Sequence, residues 1–140
     1  MQEIVTLAFA SLTISNMPKI LIIEDDPFLA DIYATKFSQE GFDVKIAADG
    51  ELGFKKIAED KPDLVLLDIV LPKMDGLEIL KKTKESPELK SIPIVLLTNL
   101  GQEEKVKMGL DLGAIQYLIK AHHAPGEVVE IVKKVLETRK

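Results

Sequence analysis

Short apolar runs alternate with amphipathic stretches along the chain, and this alternation predicts five strands and five helices. The predicted strands are Lys19–Ile23, Phe42–Ala47, Asp63–Leu67, Pro93–Leu97 and Ala114–Ile119. The predicted helices are Phe28–Phe37, a stretch around Leu52–Ile57, one with Asp75 as its N-cap, Glu103–Leu112, and one that follows Pro125. Because a helix follows every strand, the pattern is typical of a fold built from repeated strand–helix units.

The composition of the strands indicates where each lies in the sheet. The first, third and fourth are apolar at nearly every position, as expected when both faces of a parallel sheet are covered. The second alternates Phe42, Val44 and Ile46 with Asp43 and Lys45, which is typical of an edge strand. Right-handed crossovers then predict a doubly wound α/β fold, a five-stranded parallel sheet in a three-layer α/β/α sandwich.

The length of 140 residues suits one domain, which we place at residues 17–140. Residues 1–16 carry one charge, Glu3, and lack the basic start of a secretory signal. Their apolar stretch is too short to span a bilayer. We interpret them as an extension that is disordered or that precedes a natural start at Met17.

Charge and cysteine content exclude several classes of function. The chain has 18 Lys and Arg against 23 Asp and Glu, a net charge of −5, and no basic tract, which argues against a nucleic-acid-binding surface. It has no cysteines, which excludes disulfides, thiolate metal sites and cysteine nucleophiles. We therefore expect a cytoplasmic domain without a nucleic-acid or membrane partner.

Polar residues follow four of the predicted strands where each strand ends. Glu24–Asp26 follow the first strand, Asp68 the third, Thr98 the fourth and Lys120 the fifth. Carboxyl ends of parallel strands share one edge of the sheet, where ligands bind in such folds. Clustered carboxylates require a cation, and a few hard oxygen ligands suit Mg²⁺. Together with an amine and a hydroxyl donor, they predict a phosphoryl-transfer site with a nucleophilic aspartate.

Four stretches, taken together in order and spacing, resemble the response-regulator receiver domains of the CheY type. They are IIEDDP at 22–27, LVLLDIVLPKMDG at 64–76, IPIVLLT at 92–98 and YLIK at 117–120. The resemblance covers residues 18–138 and implies a flavodoxin/CheY-like sheet of order 2-1-3-4-5. It implies a stand-alone response regulator of two-component phosphorelay signalling. In that role Asp68 accepts a phosphoryl group from a sensor histidine kinase or phosphotransfer protein.

The same resemblance assigns a set of metal ligands. Asp25, Asp68 and the backbone carbonyl of Val70 are expected to hold Mg²⁺, with Glu24 reaching the ion through water. For Asp26, a cap on the following helix is as good an interpretation as a place in the acidic site.

The resemblance also assigns the residues of a switch. Thr98 and Lys120 are expected to bind the phosphoryl oxygens, and Tyr117 to rotate inward behind Thr98. The switched surface would comprise the fourth helix, fifth strand and fifth helix. The domain would not be an enzyme in the ordinary sense, because it would catalyse only its own phosphorylation and dephosphorylation. It would act as a monomer or as a phosphorylation-dependent dimer on a downstream protein that the sequence does not name.

Two positions depart from the commonest family pattern. Asn99 follows Thr98 where a small residue is usual, and Ala121 follows Lys120 where a cis proline is usual. A cis bond before a non-proline residue costs about 2.5–4 kcal/mol, so either the loop is rearranged or the site carries strain. Val70 and Leu100 are apolar at positions that flank the pocket in similar proteins, and we expect them to hinder the hydrolytic water and to lengthen the phosphoryl lifetime.

Two other functions stay open on the residues alone. A haloacid-dehalogenase-type phosphatase uses the same groups, but its nucleophile opens a D-x-D motif, whereas Val70 follows Asp68 at that spacing here. A receiver-like module that docks partners without phosphorylation is the second. His122 and His123 are adjacent in a loop beside Pro125, which indicates a solvated loop rather than a metal pair.

Overall fold

The computed structural model describes residues 17–139; the extension expected at residues 1–16 lies outside this range. The five strands are β1 (Lys19–Ile23), β2 (Asp43–Ala47), β3 (Leu64–Asp68), β4 (Ile94–Thr98) and β5 (Gln116–Ile119). The five α-helices are α1 (Pro27–Gln39), α2 (Gly50–Asp60), α3 (Gly76–Glu85), α4 (Glu103–Asp111) and α5 (Pro125–Thr138). A short 3₁₀ turn, Lys120–His122, follows β5.

The strands form one parallel sheet in the order β2-β1-β3-β4-β5, as the resemblance implies. Every residue of β3 and β4 is buried, and β1 is buried after its first residue. The edge strand β2 alternates exposed and partly buried positions before the buried Ala47. The apolar runs and the alternating run therefore occupy the positions that their patterns predict.

Two apolar clusters cover the two faces of the sheet. One packs α2, α3 and α4 against the sheet and includes Ile57, Ile79 and Val106. The other packs α1 and α5 against the opposite face, with Phe37 and Val132. Successive strand residues point to opposite faces, so both clusters draw on the same strands, and the sheet lies between two helical layers.

Two local predictions need correction. The sequence predicts the fifth strand from Ala114, but Ala114 N–H donates to the carbonyl of Gly109 at 3.0 Å in the turn that follows α4, and β5 begins at Gln116. Asp75 occupies the N-cap position of α3, yet its side chain makes no capping hydrogen bond. Asp26 is the better cap, because its carboxylate accepts from the backbone N–H groups of Phe28 and Leu29 at 3.0 and 3.3 Å.

Candidate functional site

The register of the sheet places the predicted polar residues at one edge. Ile23 is paired with Leu67, so the residues that follow them, Glu24 and Asp68, lie side by side at the ends of β1 and β3. Thr98 at the end of β4 is paired with Ile119 at the end of β5, and Lys120 is the next residue after Ile119. Residues from four distant parts of the chain therefore share one crevice.

Lys120 bridges two buried carboxylates. Its Nζ donates to Glu24 Oε1 at 2.7 Å and to Asp68 Oδ2 at 2.8 Å. Glu24 is 1% exposed and Asp68 is 4% exposed, so both acids depend on this cation for compensation. Lys120 is the first residue of the 3₁₀ turn Lys120–His122. Residues 17–139 contain no cis peptide bond. The structure thus has the rearranged loop that was one of the two alternatives for Ala121.

The ionisation of this pair reflects burial and close charges. Burial raises the pKa of Glu24 above its ordinary value, and although the hydrogen bond from Lys120 opposes this, the neighbouring Asp68 adds to it. For Lys120, burial alone would lower the pKa. The hydrogen bonds to Asp68 and Glu24 outweigh it, so the pKa of the amine is raised above its ordinary value. The amine of Lys120 is therefore kept in its charged form.

Three carboxylates surround a position that a cation could occupy. Glu24, Asp25 and Asp68 each offer an oxygen, and these oxygens lie within 4.8 Å of one another. Asp25 is exposed, whereas the other two are buried, so the group opens to solvent on one side. Burial is the main cause that raises the pKa of Glu24, and the charge of the neighbouring Asp68 adds to the rise. An oxygen-only donor set that is crowded with charge and open to water fits Mg²⁺.

The loop after β3 is held close to Asp68. Val70 N–H donates to Asp68 Oδ1 at 3.3 Å, and the side chain of Val70 is 46% exposed. Gly76 N–H donates to Ile69 O at 2.8 Å, and a Cβ on Gly76 would lie 2.3 Å from the carbonyl oxygen of Asp68. Only glycine fits there. Gly76 ends the stretch at 64–76 that carries the resemblance, but no role was predicted for it from the sequence.

Thr98 is buried, but its hydroxyl does not donate to Asp68. It donates to Gln102 Oε1 at 2.6 Å and lies 3.0 Å from the carbonyl oxygen of Asn99. Tyr117 is 42% exposed and lines, together with Thr98, a cavity of about 230 Å³ between β4, α4 and β5. The structure therefore brings Glu24, Asp25, Asp68 and Lys120 together, while Thr98 and Tyr117 lie beside this group without joining it.

Two features near the site were missed or only partly predicted. Tyr33 on α1 is fully buried, and its pKa is raised by burial, opposed by Lys120 and reinforced by Glu24 and Asp68. No motif distinguishes it from an ordinary core aromatic. Of the two histidines, His122 is exposed as predicted, whereas His123 is partly buried with Nδ1 3.8 Å from a carboxylate oxygen of Glu127.

A doubly wound sheet whose acidic crevice is bridged by a lysine is typical of a receiver-type domain. The sequence model of the response regulator receiver domain matches residues 20–133. This chain belongs to that family, whose members are phosphoacceptor signalling domains of two-component systems rather than haloacid-dehalogenase-type phosphatases.

Individual relatives agree with this assignment. The chain is 38% identical over 119 residues to the DNA-binding dual master transcriptional regulator RpaA of Synechocystis, which covers 85% of this chain and 48% of that protein. It is 37% identical over 118 residues to the alkaline phosphatase synthesis transcriptional regulatory protein PhoP of Bacillus subtilis, covering 84% and 48%. A CheY-like receiver domain structure from Methanospirillum hungatei has a TM-score of 0.81 at 30% identity, covering 88% and 96%.

The chain spans about half the length of these two curated relatives. The expectation of a stand-alone regulator therefore remains a hypothesis. Between residues 17 and 139, no helix combines the length and apolar character needed to cross a bilayer.

Proposed function

We propose that Asp68 accepts a phosphoryl group from a phosphohistidine of a sensor histidine kinase or phosphotransfer protein, and that the domain signals through this modification. The observation that carries the proposal is the contact of Lys120 Nζ with both Glu24 and Asp68 at 2.7 and 2.8 Å. An amine held against a buried carboxylate beside two further acids has little use in a purely structural role, because removing charges from water is costly.

The proposed step is an in-line displacement. A carboxylate oxygen of Asp68 forms a bond to phosphorus while the bond from phosphorus to the donor's imidazole nitrogen breaks. The imidazole nitrogen keeps the electron pair and later takes a proton from solvent. Lys120 is placed to offset the charge on the transferred oxygens, since it already contacts the nucleophile.

The cluster of Glu24, Asp25 and Asp68 supports a binding site for Mg²⁺. Asp25, Asp68 and the carbonyl of Val70 would hold the ion, with Glu24 bound through water. When bound, the ion neutralises negative charge on the phosphoryl oxygens and on the carboxylates. Asp25 is the exposed member of the group, so its side chain remains accessible to an ion from solvent.

The signalling output would follow from Thr98 and Tyr117. A phosphoryl group on Asp68 gives the hydroxyl of Thr98 a new, charged acceptor on the neighbouring strand. Movement of Thr98 inward would leave space for Tyr117, which lines the same cavity. The surface formed by α4, β5 and α5 would then change, and a downstream protein or a second copy of the chain would read it.

The test is covalent labelling. With acetyl phosphate and Mg²⁺, the wild-type protein should gain one phosphoryl group at Asp68, and Asp68→Asn should not be labelled. The control Asp43→Asn removes an exposed carboxylate at the opposite edge of the sheet and should be labelled normally. Continued Mg²⁺-dependent labelling of Asp68→Asn would refute the assignment. Beryllofluoride, a phosphoryl mimic, separates this function from a docking module, which would show no Mg²⁺-dependent binding.

A further inference from the structure

The side chain of Gln102 holds two hydrogen-bond donors at the end of β4. Thr98 Oγ1 donates to Gln102 Oε1 at 2.6 Å, and the backbone N–H of Asn99 donates to the same oxygen at 3.1 Å. A backbone N–H can only donate, so the atom that faces Asn99 is the amide oxygen, and the orientation of the amide follows. Gln102 precedes α4 directly, yet its side chain makes no capping bond to that helix.

These bonds compete with phosphoryl recognition. A hydroxyl has a single donor hydrogen, so Thr98 cannot donate strongly to Gln102 and to an oxygen on Asp68 at the same time. Thr98 is 1% exposed, so its hydroxyl depends mainly on partners within the protein. The N–H of Asn99, the residue that follows β4, donates to the same amide oxygen. The two arrangements of this strand end are therefore mutually exclusive.

We propose that Gln102 is a positioning residue that holds Thr98 and Asn99 in the unphosphorylated arrangement and so sets the switching equilibrium of the domain. The inference rests on the proposed function of Asp68. Since the bonds to Gln102 exist in only one of the two states, they stabilise that state and oppose the switch. One net hydrogen bond shifts such an equilibrium by about twofold to twelvefold.

The experiment measures the dissociation constant of beryllofluoride at saturating Mg²⁺ for three proteins. Gln102→Met keeps the length of the side chain but has no oxygen acceptor, so it should bind about twofold to twelvefold more tightly than wild type. Gln102→Glu keeps the acceptor and adds charge, which strengthens the bond from Thr98, so it should bind more weakly than wild type. Gln39→Met, an exposed glutamine at the end of α1, should bind as wild type does.

A second readout needs no phosphoryl mimic. The amide hydrogen of Asn99 should exchange faster in unliganded Gln102→Met, while the amide of Leu66 in the centre of β3 should keep its rate. Equal beryllofluoride affinity and equal Asn99 exchange in wild type and Gln102→Met would overturn the role of Gln102 alone. Failure of the wild-type protein to bind beryllofluoride would overturn the phosphoacceptor proposal, and the regulatory role with it.

Discussion

Replacement of Lys120 by methionine should destabilise the fold, because two buried carboxylates lose their shared cation. Glu24 and Asp68 are 1% and 4% exposed, and each accepts one charged hydrogen bond from Lys120, at 2.7 and 2.8 Å. Loss of one partner from a buried ion pair costs about 3–5 kcal/mol, because the remaining charge is uncompensated. We expect the lower end of that range, about 3 kcal/mol at neutral pH, since one acid can take up a proton instead.

The pH dependence separates this electrostatic cost from a packing defect. Burial and Asp68 already raise the pKa of Glu24 in the wild-type protein, and loss of the amine removes the contact that opposes this. The penalty in Lys120→Met should therefore shrink as the pH falls from 7 toward the ordinary value of 4.5. The double variant Lys120→Met with Asp68→Asn keeps only one of the two buried acids, Glu24. It should therefore recover a large part of the lost free energy of unfolding.

The stabilisation that Lys120 provides should decrease at alkaline pH. The pKa of Lys120 lies above its ordinary value of 10.5, so its stabilisation is fully present at neutral pH and is lost as the pH rises through the raised pKa. The difference in unfolding free energy between wild type and Lys120→Met should therefore decrease at pH values above 10.5.

Urea denaturation at several pH values, followed by circular dichroism without added Mg²⁺, measures these differences. Lys134→Met is the matched control, because Lys134 is exposed on α5 and its replacement should change stability by less than about 0.5 kcal/mol. A loss in Lys120→Met below about 1 kcal/mol would refute the reasoning. A larger loss that neither acidification nor Asp68→Asn relieves would assign the cost to packing instead.

Two further predictions concern the loops around the crevice. Asp26→Ala should lower the free energy of unfolding by about 1 kcal/mol because it removes two capping bonds. Asp75→Ala, which removes no capping hydrogen bond, should cost less in the same denaturation assay. Val70 and Leu100 are exposed, and we expect them to hinder the hydrolytic water at Asp68, so Val70→Ala and Leu100→Ala should each shorten the phosphoryl lifetime, as followed by release of phosphate. Self-hydrolysis of the wild-type phosphoprotein within seconds would contradict this prediction.

Much of the fold could be predicted from the sequence, because the patterns of apolar and polar residues that determine it are local. A fully apolar run such as Leu64–Leu67 requires burial on both faces, and the alternating run Asp43–Ala47 requires an edge. Parallel strands then bring their carboxyl ends to one edge, so the meeting of Asp68 and Lys120 follows from topology. The resemblance added the order of the strands and the proposed role of each polar residue.

The partner of each polar side chain was decided only by the tertiary structure. Thr98 ends β4 and Lys120 directly follows β5 at the same edge, yet Lys120 reaches Asp68 whereas Thr98 donates to Gln102. Asp26 and Asp75 both precede helices, and only Asp26 caps its helix through the side chain. A short polar side chain has several acceptors within reach, and the choice depends on distances of a few tenths of an ångström that the packed sheet and loops impose, which no pattern along the chain encodes.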